Sequence, residues 1–112
     1  MAIEFNGKTI ETTETGFLAD QADWSEDLAR HIAKAEDIVL GQEHMDIITY
    51  LREEFFENAG NLPNTRTILK AMSERWGRKL AQRDLYDLFP LDPSKQGGRI
   101  AGLPESRRKG GY

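Results

Sequence analysis

Residues 42–58 read Gln42-Glu43-His44-Met45-Asp46-Ile47-Ile48-Thr49-Tyr50-Leu51-Arg52-Glu53-Glu54-Phe55-Phe56-Glu57-Asn58. Ile47, Ile48, Leu51 and Phe55 recur at helical spacing and define one apolar face. Met45, Tyr50 and Phe56 widen it, and so broad a stripe predicts a central helix packed on more than one side. Ala59-Gly60-Asn61 ends the run, with Gly60 suited to a left-handed cap. The fold is therefore built around a helix.

Downstream, after Leu62-Pro63, Asn64 or Thr65 can cap a second amphipathic run. Ile68, Met72 and Trp76 stack there at four-residue spacing beside Leu69, until Gly77 interrupts. A shorter helix over Gln82–Phe89 presents Leu85, Leu88 and Phe89, and Pro90 stops it. Upstream, Ile38-Val39-Leu40 is an apolar connector. Before it, Ser25 caps a helix carrying Trp24, Leu28 and Ile32 on one stripe and ending near Ala35. The chain opens with Ile3, Phe5, Asn6-Gly7 and Ile10, the pattern of a tight hairpin, because both central residues of its turn need positive φ. Past Pro90, the prolines and glycines at 93, 97, 98, 102, 104, 110 and 111 read as unsuited to regular structure. The expected architecture is mainly α: a small helical bundle with a helix-turn-helix-like pair, an N-terminal β-hairpin and a flexible C-terminal arm. Residues 1–94 form the body and 95–112 the arm of the same domain.

The chain has 112 residues, 38% of them hydrophobic and 30% charged, enough for one modest core. It has no cysteine, which excludes disulfides, thiolate metal sites and any thiol chemistry. No signal peptide or membrane-spanning run is visible, so a cytoplasmic location and no membrane partner are expected. From Lys95 onward there are five basic residues against the single acid Glu105, leaving a net −8 on residues 1–94. An acidic body with a basic end implies two surfaces with different partners.

The catalytic inventory is thin. His31 and His44 lie on different helices, and Glu43 next to His44 points about 100° away from it around the helix, so no metal site and no cofactor are expected. Glu53, Glu54 and Glu57 form an exposed acidic run rather than a catalytic pair, which would need a cleft and unequal environments. Asn64–Trp76 and Gln82–Phe89 have the spacing of a helix-turn-helix, with Arg78, Lys79 and Arg83 at the start of its second helix as candidate nucleic-acid contacts. Asp84 and Asp87 on that helix and the acidic body oppose binding to phosphate.

The stretch Lys95-Gln96-Gly97-Gly98-Arg99-Ile100-Ala101-Gly102-Leu103-Pro104 is the most distinctive in the chain. It resembles the C-terminal arm of the DsrC/TusE family, small sulfur-relay proteins of dissimilatory sulfite reductase and of tRNA thiolation. Phe5-Asn6-Gly7-Lys8, Gly16-Phe17-Leu18, Trp24-Ser25, Glu43-His44, Leu51-Arg52-Glu53 and Leu85-Tyr86-Asp87-Leu88-Phe89-Pro90 agree in order and spacing. The resemblance covers nearly the whole chain. It implies a helical bundle with a helix-turn-helix-like pair, an N-terminal hairpin and a mobile arm whose penultimate cysteine carries a persulfide, with a second cysteine two residues after the Lys-Gln pair in DsrC proper.

This sequence departs at both places. The second-cysteine position is Gly98, and the terminal one falls on Lys109 or Gly111 according to the end from which it is counted. Neither residue supplies the polarisable thiolate that sulfur transfer requires. What the resemblance then implies is a non-enzymatic binding or regulatory protein of sulfur metabolism. Its arm, Lys95, Gln96, Gly98, Arg99, Gly102, Leu103, Pro104, Arg107, Arg108 and Lys109, would contact sulfite reductase-like or sulfurtransferase relay complexes. A DNA-binding transcriptional regulator and an accessory component of a sulfurtransferase complex are the alternative expectations.

Overall fold

A computed structural model describes residues 1–105 of the chain. Strands β1 (Ala2–Phe5) and β2 (Lys8–Glu11) pair antiparallel with Ile3 opposite Ile10 and Phe5 opposite Lys8. Asn6 and Gly7 both take positive φ, 51° and 74°, as the two-residue turn demands. Helices α1 (Glu26–Ala35), α2 (Gln42–Glu57), α3 (Thr65–Trp76) and α4 (Gln82–Leu88) follow. Their starts have local causes. The Ser25 hydroxyl accepts from the Leu28 amide at 3.1 Å, and the Asn64 side chain accepts from Thr67 at 2.8 Å. Gly77 closes α3 in the left-handed conformation, and Gly60 follows α2 with φ 81°.

The bundle and hairpin stand as expected. The end of the chain does not. Residues 93–100, expected to be irregular, form a fifth helix, α5 (Pro93–Ile100), which packs against all four others. Its N-terminus is specified locally: the Asp92 carboxylate accepts from Ser94 and Lys95, and Pro93 occupies the first turn, where its missing N–H is harmless. The two glycines weaken a helix by about 1 kcal/mol each relative to alanine, but Gly97 is where α5 meets its neighbours. A Cβ there would stand 3.2 Å from Leu51 and 3.8 Å from Phe89. Close approach outweighs propensity.

The core runs through Leu28, Ile47, Ile48, Leu51, Ile68, Met72, Leu85, Phe89, Ile100 and Leu103, all buried. The widened stripe of α2 is only partly used. Tyr50 and Phe55 are half-buried and Phe56 is exposed, because α5 covers the face centred on Leu51. Among the described residues, no helix is long and apolar enough to cross a membrane.

One buried group is unbalanced. The Thr65 hydroxyl, fully buried at the start of α3, has no hydrogen-bond partner among the described residues. Thr65→Val keeps the shape and removes the desolvated hydroxyl, so denaturant unfolding should show it stabilised by about 1 kcal/mol.

Candidate functional site

The arm motif is a stem fixed into the body. At its C-terminal end the Leu103 amide donates to the Gly98 carbonyl at 3.0 Å, and Gly102 donates to Arg99 at 3.2 Å. That paired pattern is a helix C-cap with the left-handed residue at Gly102, φ 75°, followed by a proline that cannot continue the helix. The Ala-Gly-Leu-Pro sequence is thus a stop signal, legible as Gly with Pro two residues later.

Trp24 and Arg52 hold this turn from outside. The Trp24 indole N–H donates to the Ile100 carbonyl at 2.9 Å, and Arg52 Nη1 donates to the Ala101 carbonyl at 2.7 Å. The guanidinium lies 3.9 Å over the Trp24 ring and 4.9 Å from that of Phe56, a stacked sandwich. Burial lowers the pKa of Arg52, and the ring faces supply part of the electrostatic support that water would otherwise give. No alternation or helical period in the sequence relates Trp24 or Arg52 to residues 100–102.

The other side of the stem is bolted by charge. Arg99 grips both oxygens of Glu36 through Nε and Nη2, and the Gln96 amide donates to the same carboxylate at 2.7 Å. Both side chains of the ion pair are only about one-fifth exposed. Gln96 also accepts from the Leu91 amide at 2.9 Å, which explains a glutamine buried to 2%. Thr15 donates to Glu105 at 2.7 Å and marks where the stem leaves the body.

The expected arm residues within the described part of the chain are packed into the body to different degrees. Gln96, Gly98, Gly102 and Leu103 are buried, and Lys95, Arg99 and Pro104 are half-buried. Their burial has one cause: α5 supplies the central layer of the core. Arg107, Arg108 and Lys109 lie outside the described residues.

Gly98 faces a hollow of about 10 Å³ bordered by Phe17, Leu62, Lys95 and Pro104. A Cβ added at Gly98 would meet nothing within 4 Å. Gly98→Cys should therefore fold with stability within about 0.5 kcal/mol of the parent, since cysteine is also the better helix former. Thermal and denaturant unfolding check it.

The candidate nucleic-acid residues are placed differently from expectation. Arg78 and Lys79 sit in the turn before α4, not on it, and Arg78 is engaged with Glu43 at 2.8 Å. Arg83 is exposed on a helix of only seven residues, where Asp84 caps the Ala81 amide. The reading helix is short and its basic group at the turn already has an acidic partner. Glu54, from the acidic run, accepts from Asn58 and Asn61 and ties off the end of α2. Among the described residues no three metal-ligating side chains converge.

His44 is structural. Its Nδ1 accepts from the Gly41 amide at 3.0 Å, which leaves Nε2–H to donate to the Leu88 carbonyl at 3.0 Å, so the neutral ring joins the start of α2 to the end of α4. Burial, the largest influence, lowers its pKa, while the Leu88 bond and nearby Glu43 oppose the shift. The unfolded chain therefore binds this proton more readily than the folded one. The contribution is fully present above the ordinary histidine pKa of 6.5 and is lost as pH falls through the depressed folded value. Denaturant titrations at pH 7.5 and 5.5 should show the parent losing more stability over this interval than His44→Gln.

Comparison with known proteins agrees with this geometry. The DsrC like protein family matches residues 4–108. The sulfurtransferase TusE of Pectobacterium atrosepticum is 39% identical over 104 residues, covering 92% of this chain and 94% of the relative. The solution structure of Allochromatium vinosum DsrC superposes with a TM-score of 0.85 at 38% identity, over 97% of this chain and 99% of that one. The crystal structure of the oxidized gamma-subunit of the dissimilatory sulfite reductase (DsrC) from Archaeoglobus fulgidus gives 0.87 at 33% identity, with the same coverage.

Proposed function

The chain belongs to the DsrC-like protein family, and we propose that within sulfur metabolism it binds or regulates relay partners without carrying sulfur itself. One observation carries this reading: the 112 residues contain no cysteine. Persulfide transfer needs a thiolate that attacks a sulfur donor and then leaves, and no other side chain does both. The apparatus that fixes the stem is nevertheless intact. Trp24, Arg52 and Glu36 converge on residues 96–101, and a Cβ at Gly98 would meet nothing within 4 Å.

A scaffold kept while its reactive atom is missing suits a protein that occupies a relay partner's docking site. The basic triplet Arg107-Arg108-Lys109 adds attraction toward an acidic surface. The names of the relatives, sulfurtransferase TusE and dissimilatory sulfite reductase subunit, supply the partner class.

The test pairs two measurements. Incubation with a persulfide-charged donor enzyme, followed by intact-mass spectrometry, is expected to show no added sulfur. Competition against a cysteine-bearing TusE for its relay complex is expected to succeed with the full chain and to weaken when the chain stops at Glu105. A transferable sulfur on this polypeptide, or no competition by either version, overturns the proposal.

A further inference from the structure

The structure points to a second binding surface, on the opposite end of the molecule's chain order from the stem: we propose that the outer edge of β1 takes an extended, basic segment of a partner protein as a third strand. The pairing pattern of the hairpin exposes that edge. Met1 and Thr12 exchange both backbone hydrogen bonds, 2.7 and 3.2 Å. Because hydrogen-bonded and non-hydrogen-bonded pairs alternate along an antiparallel ladder, Ile3–Ile10 and Phe5–Lys8 are also bonded pairs. The N–H and C=O groups of Ala2 and Glu4 then point away from β2. The opposite edge is treated differently. The Glu11 carbonyl on β2 receives the Ala19 amide at 3.0 Å, and Thr12 bridges Leu18. Within the described residues, β2 is covered at this end and β1 is open.

An open edge beside flat solvent would be only an aggregation hazard. This one adjoins a cavity of about 400 Å³, bordered by Ala2, Ile3, His31, Ile32, Ala35 and Thr13. Strand addition draws affinity from main-chain hydrogen bonds and specificity from pockets that accept alternate side chains. Both parts are present. Ile3 and Phe5 are half-buried while Ala2 and Glu4 are exposed, so a paired strand would alternate likewise.

Charge selects the occupant. Glu4 stands on the exposed face of the edge strand, where the Thr9 hydroxyl donates to it at 2.9 Å. Glu14 stands exposed at the cavity and makes no ion pair among the described residues, whereas Glu36 there is already neutralised by Arg99. A segment with basic residues facing out beside Glu4 and Glu14, and apolar residues facing in, complements both faces. A second copy of this chain would bring its own acidic β1 to the same edge.

The probe is a capped peptide, Lys-Val-Lys-Val-Lys, titrated into the full chain and followed by amide NMR. Saturable shifts and slowed hydrogen exchange at Ala2 and Glu4 are expected, and Glu-Val-Glu-Val-Glu should give neither. Ala2→Pro and Glu4→Pro remove outward N–H groups that the hairpin does not use, and proline is tolerated in that edge position. Each should weaken the peptide at least tenfold. Should these variants lose the hairpin, Glu4→Gln with Glu14→Gln replaces them, with at least threefold weakening and a reduced salt dependence expected. Binding unaffected by these substitutions, or absent altogether, overturns the proposal. So do edge shifts that depend on protein dilution alone, which would assign the edge to a second copy. Binding seen only after the chain is shortened to Glu105 would assign it to the chain's own tail and equally overturn a partner strand.

Discussion

Gly102→Ala should destabilise the protein by about 3 kcal/mol or more, measured by urea unfolding. Two independent penalties combine. Gly102 has φ 75°, a conformation that an alanine adopts only at a cost of roughly 1–2 kcal/mol. The new Cβ would also stand 2.3 Å from Trp24 Cδ1 and 2.6 Å from Cγ, distances no real carbon pair maintains. Trp24 cannot simply step aside, because its indole N–H is held by the Ile100 carbonyl and its ring by Arg52. A double-mutant cycle separates the two terms. Trp24 Cβ, which alanine would keep, also lies 2.7 Å from the new carbon, so the background is Trp24→Gly; there all three of these atoms are gone, and Gly102→Ala should then cost only about 1–2 kcal/mol. Equal costs in both backgrounds would show that Trp24 does not enforce the glycine. The same substitution should shift the direction in which the chain leaves the body, so competition for the relay complex should weaken alongside stability.

The second large effect is expected at Glu36. Glu36→Ala removes the acceptor shared by Arg99 and Gln96, two groups that reach it across 63 and 60 residues of sequence. Arg99 and Glu36 are each about one-fifth exposed, so the deserted guanidinium recovers only part of its hydration. Breaking one side of such a pair costs about 2–4 kcal/mol. Arg99→Ala should cost a similar amount. The double variant should be less damaged than the sum of the singles, because it leaves no unpaired charge behind. Additive losses would mean that the two residues act separately, and that the stem is not bolted to α1 through this pair.

Gly102 and Glu36 both act on the stretch that reads as an arm and folds as a helix, the first by ending it and the second by holding Gln96 and Arg99. Its true start was present in the sequence, since Asp92-Pro93 is a cap followed by a first-turn proline. Read without partners, Gly97 and Gly98 outvoted it. Gly97 is in fact the small residue that lets α5 approach Leu51 and Phe89. The four helices before it needed no such help, since Leu28 with Ile32 and Ile68 with Met72 announce their buried faces by spacing alone. Phe56 shows the limit of that signal: it continues the apolar stripe of α2 yet remains exposed beside Arg52.

The sequence by itself determined that no thiol chemistry can occur on these 112 residues, where the hairpin turns, and which faces of the first four helices are buried. Those are matters of composition and of residues no more than four apart, the range over which backbone hydrogen bonds and side-chain neighbours repeat. Only the tertiary structure decided that the glycine-rich stretch is a core helix and that Trp24, Glu36 and Arg52 hold it. Those contacts span 49 to 76 residues, and chain closure over such distances leaves no periodic trace in the sequence.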